Sequence, residues 1–130
     1  MLFERKAMKR SPKYLDLTRI RLPLPGFVSI LHRASGLFLY LFMPFLLYLL
    51  QQSLASEQDF GALGNMLSAY PAKMALLFLL WAFLHHFCAG IRFLLLDIDI
   101  GIALGPARTS SKWVLAASLF LTLIAGASLW

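Results

Sequence analysis

The sequence predicts an all-α membrane protein with three transmembrane helices, the N-terminus cytoplasmic and the C-terminus periplasmic, and three observations predict it. The 130 residues are 60% hydrophobic and 14% charged, with a mean hydropathy of +0.75, whereas a soluble domain is about one-quarter charged. The apolar residues gather in charge-free runs: Ala34 to Ser56 is 23 residues long, Met74 to Ile91 is 18 and Trp113 to Trp130 is 18. Each is near the roughly 20 residues a helix needs to cross the hydrocarbon core. The cations are one-sided. Eight of the 12 Lys and Arg (Arg5, Lys6, Lys9, Arg10, Lys13, Arg19, Arg21 and Arg33) stand at or before the start of the first run. Lys73 is alone in the first loop, while Arg92, Arg108 and Lys112 flank the second. By the positive-inside rule the head and second loop face the cytoplasm. Three spans leave a short head and two loops, with no room for a soluble catalytic domain.

The elements follow in order. Residues 1–26 form a basic, polar head with no short apolar core followed by a small-residue cleavage site, so it is expected in the mature protein. No transit peptide is legible either, which points to a bacterial plasma membrane. Pro23 and Pro25-Gly26 mark the end of the head and set span one at about 27–52. Pro44 falls inside that span, where a membrane helix tolerates it. Pro71 suits the first turn of span two, expected over about 71–96 and ended by Asp97 and Asp99. Gly105-Pro106 reads as a break in the second loop, with Ser110 or Ser111 capping span three over about 111–130. The membrane anchor is thus residues 27–130.

Polar residues within the spans carry the chemistry. Ser29, His32, Arg33 and Gly36 stand at i, i+3, i+4 and i+7 and form one stripe of a helix. An arginine there is costly against lipid, and with a serine and a histidine beside it the stripe reads as a buried site for an anionic or polar ligand. His85 and His86 fall near mid-membrane, where histidines serve as proton relays, metal ligands or haem ligands, or hydrogen-bond across a helix interface. They point about 100° apart, so they cannot serve one ligand equally. Ala82, His86 and Gly90, with Ala89 alongside, make a smooth face that a flat macrocycle can approach, whereas His85 has Trp81 at i−4. His86 is therefore the preferred iron ligand. A six-coordinate b-type haem needs a second axial ligand, which must come from another subunit or a second copy. Zinc is disfavoured, because no carboxylate or cysteine lies within a turn of His86 on its face. The single cysteine, Cys88, excludes an internal disulfide and an iron–sulfur cluster held by this chain alone. Nothing interleaves aromatics with the bases on a soluble face, which argues against nucleic acid.

Ser29-Ile30-Leu31-His32-Arg33-Ala34-Ser35-Gly36 resembles the S-x-x-H-R-x-S-G signature of the cytochrome b subunit of succinate dehydrogenase, the larger of two membrane anchors of respiratory complex II. His86, Gly90, Arg92 and Asp97 match the second signature of that family, H-x-x-x-G-x-R-H-x-x-x-D, with Phe93 where histidine is usual. Leu15-Asp16-Leu17 and Ile20-Arg21-Leu22-Pro23 are similar to the family's head. The resemblance implies three helices bundled with a second, smaller anchor subunit, which supplies the other axial histidine of a haem b that His86 ligates. It implies that His32 and Arg33 lie near the haem propionates, the cation compensating carboxylates held in a low dielectric. Ser29 and Arg33 would line the ubiquinone pocket beside the iron–sulfur subunit, offering a hydroxyl and a positive charge to the ring oxygens as they gain charge. The head would dock on the iron–sulfur and flavoprotein subunits. The complex would oxidise succinate and reduce quinone, and this chain alone would catalyse neither step. A fumarate reductase anchor shares the architecture. A membrane interaction subunit without haem is the alternative class, and a two-haem electron carrier would need four histidines in the spans where this chain has three in all.

Overall fold

A computed structural model of the chain describes residues 22–129. Most of the head and the last residue lie outside the described residues, and with them the docking role expected of 1–26. Four helices are present: α1 (Leu24–Ala55), α2 (Glu57–Ser68), α3 (Tyr70–Asp97) and α4 (Leu104–Leu129). Helices α1, α3 and α4 are each long and apolar enough to span a membrane. The fold is the all-helical, three-span one that the sequence predicts, with one extra short helix.

Two boundaries differ from expectation, for one reason. Helix α1 begins at Leu24 rather than Phe27, with Pro23 as its extended N-cap and Pro25 in the first turn. The N–H groups of a first turn have no intrahelical acceptor, so a proline loses nothing there and its fixed φ favours the helix. Pro23 C=O instead accepts from Gly26 N–H at 2.9 Å and Phe27 N–H at 3.1 Å. Gly105-Pro106 does the same at the start of α4, which begins seven residues before the expected 111. Ser110 and Ser111 are therefore not caps but interior residues. Ser111 is fully buried and donates its Oγ–H to Ala107 C=O at 2.8 Å. Span two, expected over 71–96, is α3 to within a residue at either end.

Helix α2 is new. Its N-cap, Ser56, accepts from Asp59 N–H at 3.0 Å, and the same hydroxyl donates to Asp59 Oδ2 at 2.7 Å, so one side chain caps the first turn and holds its carboxylate. Glu57 and Asp59 in the first turn also complement the helix dipole. Between α3 and α4 the chain reverses through Asp99 (φ 62°) and Gly101 (φ 82°), left-handed positions of which the second is free of strain because glycine has no Cβ.

Helix α3 is central and runs antiparallel to both α1 and α4. The fully apolar core is small: Val28, Ala89 and Val114, with Cys88, Phe93 and Leu115 packed on it. The rest of the α3–α4 seam is made of small polar residues. Ser118 donates to Leu115 C=O at 3.1 Å and Thr122 to Ser118 C=O at 2.7 Å, so each buried hydroxyl is satisfied within its own helix and adds little bulk between helices. Gly126 abuts Leu77, whose Cδ1 would lie 2.7 Å from an added Cβ. Large apolar side chains such as Tyr40, Leu41, Phe83, Leu94 and Phe120 point outward, the disposition of a surface meant for lipid or other membrane helices.

Arg92 fastens the other end of the seam. It lies within α3, as the expected span two implies, and is buried on its inner face. Its Nε–H donates to Ser110 Oγ at 3.0 Å, its Nη2 lies 3.4 Å from Ala107 C=O, and its guanidinium stands 5.3 Å from the centre of the Phe93 ring. A hydrogen bond to a charged group contributes about 1.5–3 kcal/mol. Ser110→Ala, which removes the best acceptor and leaves the buried charge in place, is expected to destabilise the protein by about that amount, whereas Ser128→Ala, at an exposed serine bonded only to its own helix, should be near neutral. Denaturant unfolding in detergent micelles measures both.

Candidate functional site

Two glycines bring α1 and α3 together at the histidines. Gly36 of α1 faces the ring of His86: a Cβ there would lie 2.8 Å from Cε1 and 3.2 Å from Nδ1. Gly90 of α3 faces the ring of His32, with Nε2 3.7 Å from where its Cβ would be. The two imidazoles stack with centroids 4.2 Å apart and planes 10° from parallel. Phe93 closes the far side of His32, its ring centre 5.0 Å away and its plane tilted by 48°. The residue that departs from the family signature thus packs against the first histidine of the site and beneath the Arg92 cation.

The tautomer of His86 follows from its neighbours. Nδ1 lies 3.0 Å from the main-chain carbonyl of His32 and 3.3 Å from Ser35 Oγ. A carbonyl only accepts, so the proton sits on Nδ1 and the lone pair on Nε2. Ser35 is itself buried and donates its hydroxyl hydrogen to the same carbonyl at 2.9 Å. The ring is therefore held at one edge by α1, while Nε2, its only coordinating atom, lies on the other.

His85 is the opposite case. It is completely enclosed, its ring stacks on Trp81 with 5.6 Å between centroids, and neither ring nitrogen has a hydrogen-bond partner. Ala82 and Ala89 share its buried face, which corrects the expectation that they line the approach to His86. The smooth surface against His86 comes from Gly36 on the other helix. The expected stripe on α1 also divides. His32 and Gly36 turn toward α3, Ser29 is half-buried, and Arg33 is exposed on the outside of the helix pair, not buried. Among the described residues no three His, Cys, Asp or Glu side chains come together as a metal centre.

Ser35 and Gly36 both stand in the first signature, but nothing in the sequence puts Ser35 beside Nδ1 of His86 or Gly36 under its ring, because periodicity within α1 does not say which of its residues α3 meets. Arg92 has a signal that could be read: four residues from Leu96 and within the apolar periodicity, it is still inside the helix.

A multi-pass helical membrane subunit with a histidine pair clasped between two spans is the class this architecture defines. The family of succinate dehydrogenase/fumarate reductase transmembrane subunits matches residues 7–125, and the chain belongs to it. It is 35% identical over 122 residues, 93% of this chain and 98% of the relative, to the succinate dehydrogenase cytochrome b556 subunit of Coxiella burnetii (strain RSA 493 / Nine Mile phase I). It is also 27% identical over 104 residues, 80% of each chain, to the subunit of the same name from Paracoccus denitrificans. The resemblance read from the two signatures therefore holds for nearly the whole chain.

The contact at Gly36 makes a signed prediction. An unobstructed helical glycine gains about 1 kcal/mol on replacement by alanine, and Gly61→Ala and Gly64→Ala, which meet nothing within 4 Å, should stabilise in that direction. Gly36→Ala should instead destabilise by about 1–3 kcal/mol, because the rigid imidazole opposite cannot yield as a flexible chain end would. Unfolding of the three variants in the same detergent decides the sign.

Proposed function

We propose that the chain is the cytochrome b membrane anchor of a succinate:quinone oxidoreductase, and that His86 is one axial ligand of a haem b. The observation that carries the reading is the His86 ring: Nδ1 is fixed by the His32 carbonyl, which leaves the Nε2 lone pair for iron. A neutral imidazole whose other nitrogen donates to a backbone carbonyl is the usual form of a histidine ligand, so the residues fit the group. His85, with both nitrogens sealed inside the bundle, does not fit it. One ligand per chain requires a second subunit, and a smaller membrane anchor that adds the other histidine meets the need. When bound, the haem supplies reversible one-electron storage beside the quinone site.

The exposed position of Arg33 suits this assembly. A guanidinium on the outer face of α1 is costly against lipid and favourable against haem propionates or the oxygens of a quinone. The preceding residue, His32, turns toward α3 and stacks on the ring of His86. Ser29, one turn toward the N-terminus, places a hydroxyl on the same end of α1 as Arg33. The two would hydrogen-bond and polarise a ubiquinone carbonyl where negative charge develops during reduction, with the iron–sulfur subunit as electron donor and the flavoprotein subunit as the site of succinate oxidation. The basic head, residues 1–26, would dock those subunits on the cytoplasmic side of a bacterial inner membrane, leaving the C-terminus periplasmic. The names of both relatives favour the succinate-oxidising direction over fumarate reduction.

Reduced-minus-oxidised spectra of membranes holding the four-subunit complex test the ligand. His86→Ala should remove the b-type absorbance and His85→Ala should keep it; retention in His86→Ala would overturn the assignment. In the same membranes Ser29→Ala and Arg33→Ala should lower succinate:quinone turnover by about 10²–10³-fold, the usual effect of deleting one electrostatic donor, while succinate oxidation by an artificial acceptor at the soluble subunits stays unchanged.

A further inference from the structure

The carbonyl of His32 holds more than one partner. It accepts the Ser35 hydroxyl hydrogen at 2.9 Å, and it lies 3.0 Å from His86 Nδ1. With its hydrogen committed to the carbonyl, Ser35 Oγ turns lone pairs toward the same Nδ1–H, at 3.3 Å. One imidazole proton is thus shared between two acceptors, a main-chain carbonyl and a buried hydroxyl, and the hydroxyl is polarised by the bond that it donates. The short cyclic arrangement of Ser35 Oγ, His32 C=O and His86 Nδ1 spans two helices and lies on the side of the ring away from Nε2. Ser35 is 6% exposed, so water does not readily replace it.

We propose that Ser35 is a positioning and tuning residue for His86: its hydroxyl, as second acceptor of the Nδ1 proton, raises the electron-donating power of Nε2 and so lowers the reduction potential of the metal that Nε2 binds. The inference rests on His86 being an axial ligand. Its physical basis is general. A hydrogen bond accepted from the distal N–H of a ligating imidazole gives the ring anionic character, and that favours the more highly charged, oxidised metal. The carbonyl alone would fix the tautomer. The serine adds a side chain whose presence or absence can change the ligand without disturbing the helix that carries it, since its removal leaves the backbone bonds of α1 intact. Ser35 also stands beside Gly36, so the two consecutive residues act on the same ring, one by chemistry at its edge and one by yielding room for its atoms.

Redox titration of the b-type absorbance in the four-subunit complex tests the proposal, with Ser35→Thr and Ser35→Val as a pair of equal shape that differ by one hydroxyl. Threonine, whose Oγ1 can make the same bond to a preceding carbonyl, is expected to keep the wild-type midpoint potential. Valine is expected to raise it, and Ser35→Ala, which adds no bulk, should shift it the same way at unchanged haem content. Equal potentials in the threonine, valine and alanine variants would overturn the role of the hydroxyl. A His86→Ala complex that keeps its b-type spectrum would overturn the ligand assignment instead, so the two failures are told apart. Succinate oxidation by an artificial acceptor, measured in parallel, should be the same in the three Ser35 variants as in the wild type.

Discussion

The bond from His86 to the main-chain carbonyl of His32 is the contact on which the pairing of the first two spans turns. It joins a side chain of α3 to the backbone of α1, and the 3.0 Å separation brings the two helix surfaces close at that level. Closeness has a steric requirement, and Gly36 and Gly90 meet it from opposite sides of the stacked rings. In a medium without water a polar ring atom must find its partner within the protein. Here the partner is a carbonyl already used by its own helix and by Ser35, which shows how a membrane protein builds a polar site from acceptors that every helix carries. The α3–α4 seam applies the same economy. Ser111, Ser118 and Thr122 bond back to their own helix, and the single strong cation, Arg92, is met by a serine, a carbonyl and an aromatic face.

Much of this is legible in the sequence and some is not, and the division has physical causes. Three charge-free runs near the length of a bilayer core fix the spans, because a helix satisfies its own backbone there and needs about 20 residues to cross, twice what a barrel strand needs. That His85 and His86 occupy different surroundings is also legible, since adjacent residues on one helix face different ways. What misleads is punctuation. Pro25 and Pro106 look like breaks because proline ends a helix from within, yet each sits in a first turn, where the missing N–H is never used. Helix α2 is short, and its start is marked only by a serine cap bonded to Asp59, so the local signal is weaker than the helix it starts. Burial is the least legible quantity. Arg33 and Arg92 are the same residue type near the same end of the spans, but one lies outside the helix pair and the other inside, and only the packing of α4 against α3 distinguishes them.

The composition of the seams explains why the described chain has so small an apolar core. Lipid tails are as apolar as leucine, so membrane helices gain little by hiding leucines from them and associate instead through close packing and hydrogen bonds between small residues. Val28, Ala89 and Val114 are the whole of the fully buried apolar set that packs together, while leucines and phenylalanines crowd the outside. A surface of that kind accepts lipid on some faces and further helices on others. Arg33 marks a face where lipid is the poorer neighbour.

The two adjacent histidines show how a single helical step separates two environments. His85 turns inward, where Trp81 covers it and no group meets its nitrogens; His86 turns toward α1, where one nitrogen is held and the other is left with its lone pair outward. A ligand must have both features at once: a fixed ring, so that the lone pair points in one direction, and an unspent nitrogen to do the pointing. Sealing His86 as His85 is sealed would remove the second, and freeing it from the carbonyl would remove the first. The antiparallel placement of α1 against α3, with glycines where the rings cross, supplies both from the same short stretch of each helix. That is why the residues gathered at the stacked rings fall in two signatures about 50 positions apart in the sequence.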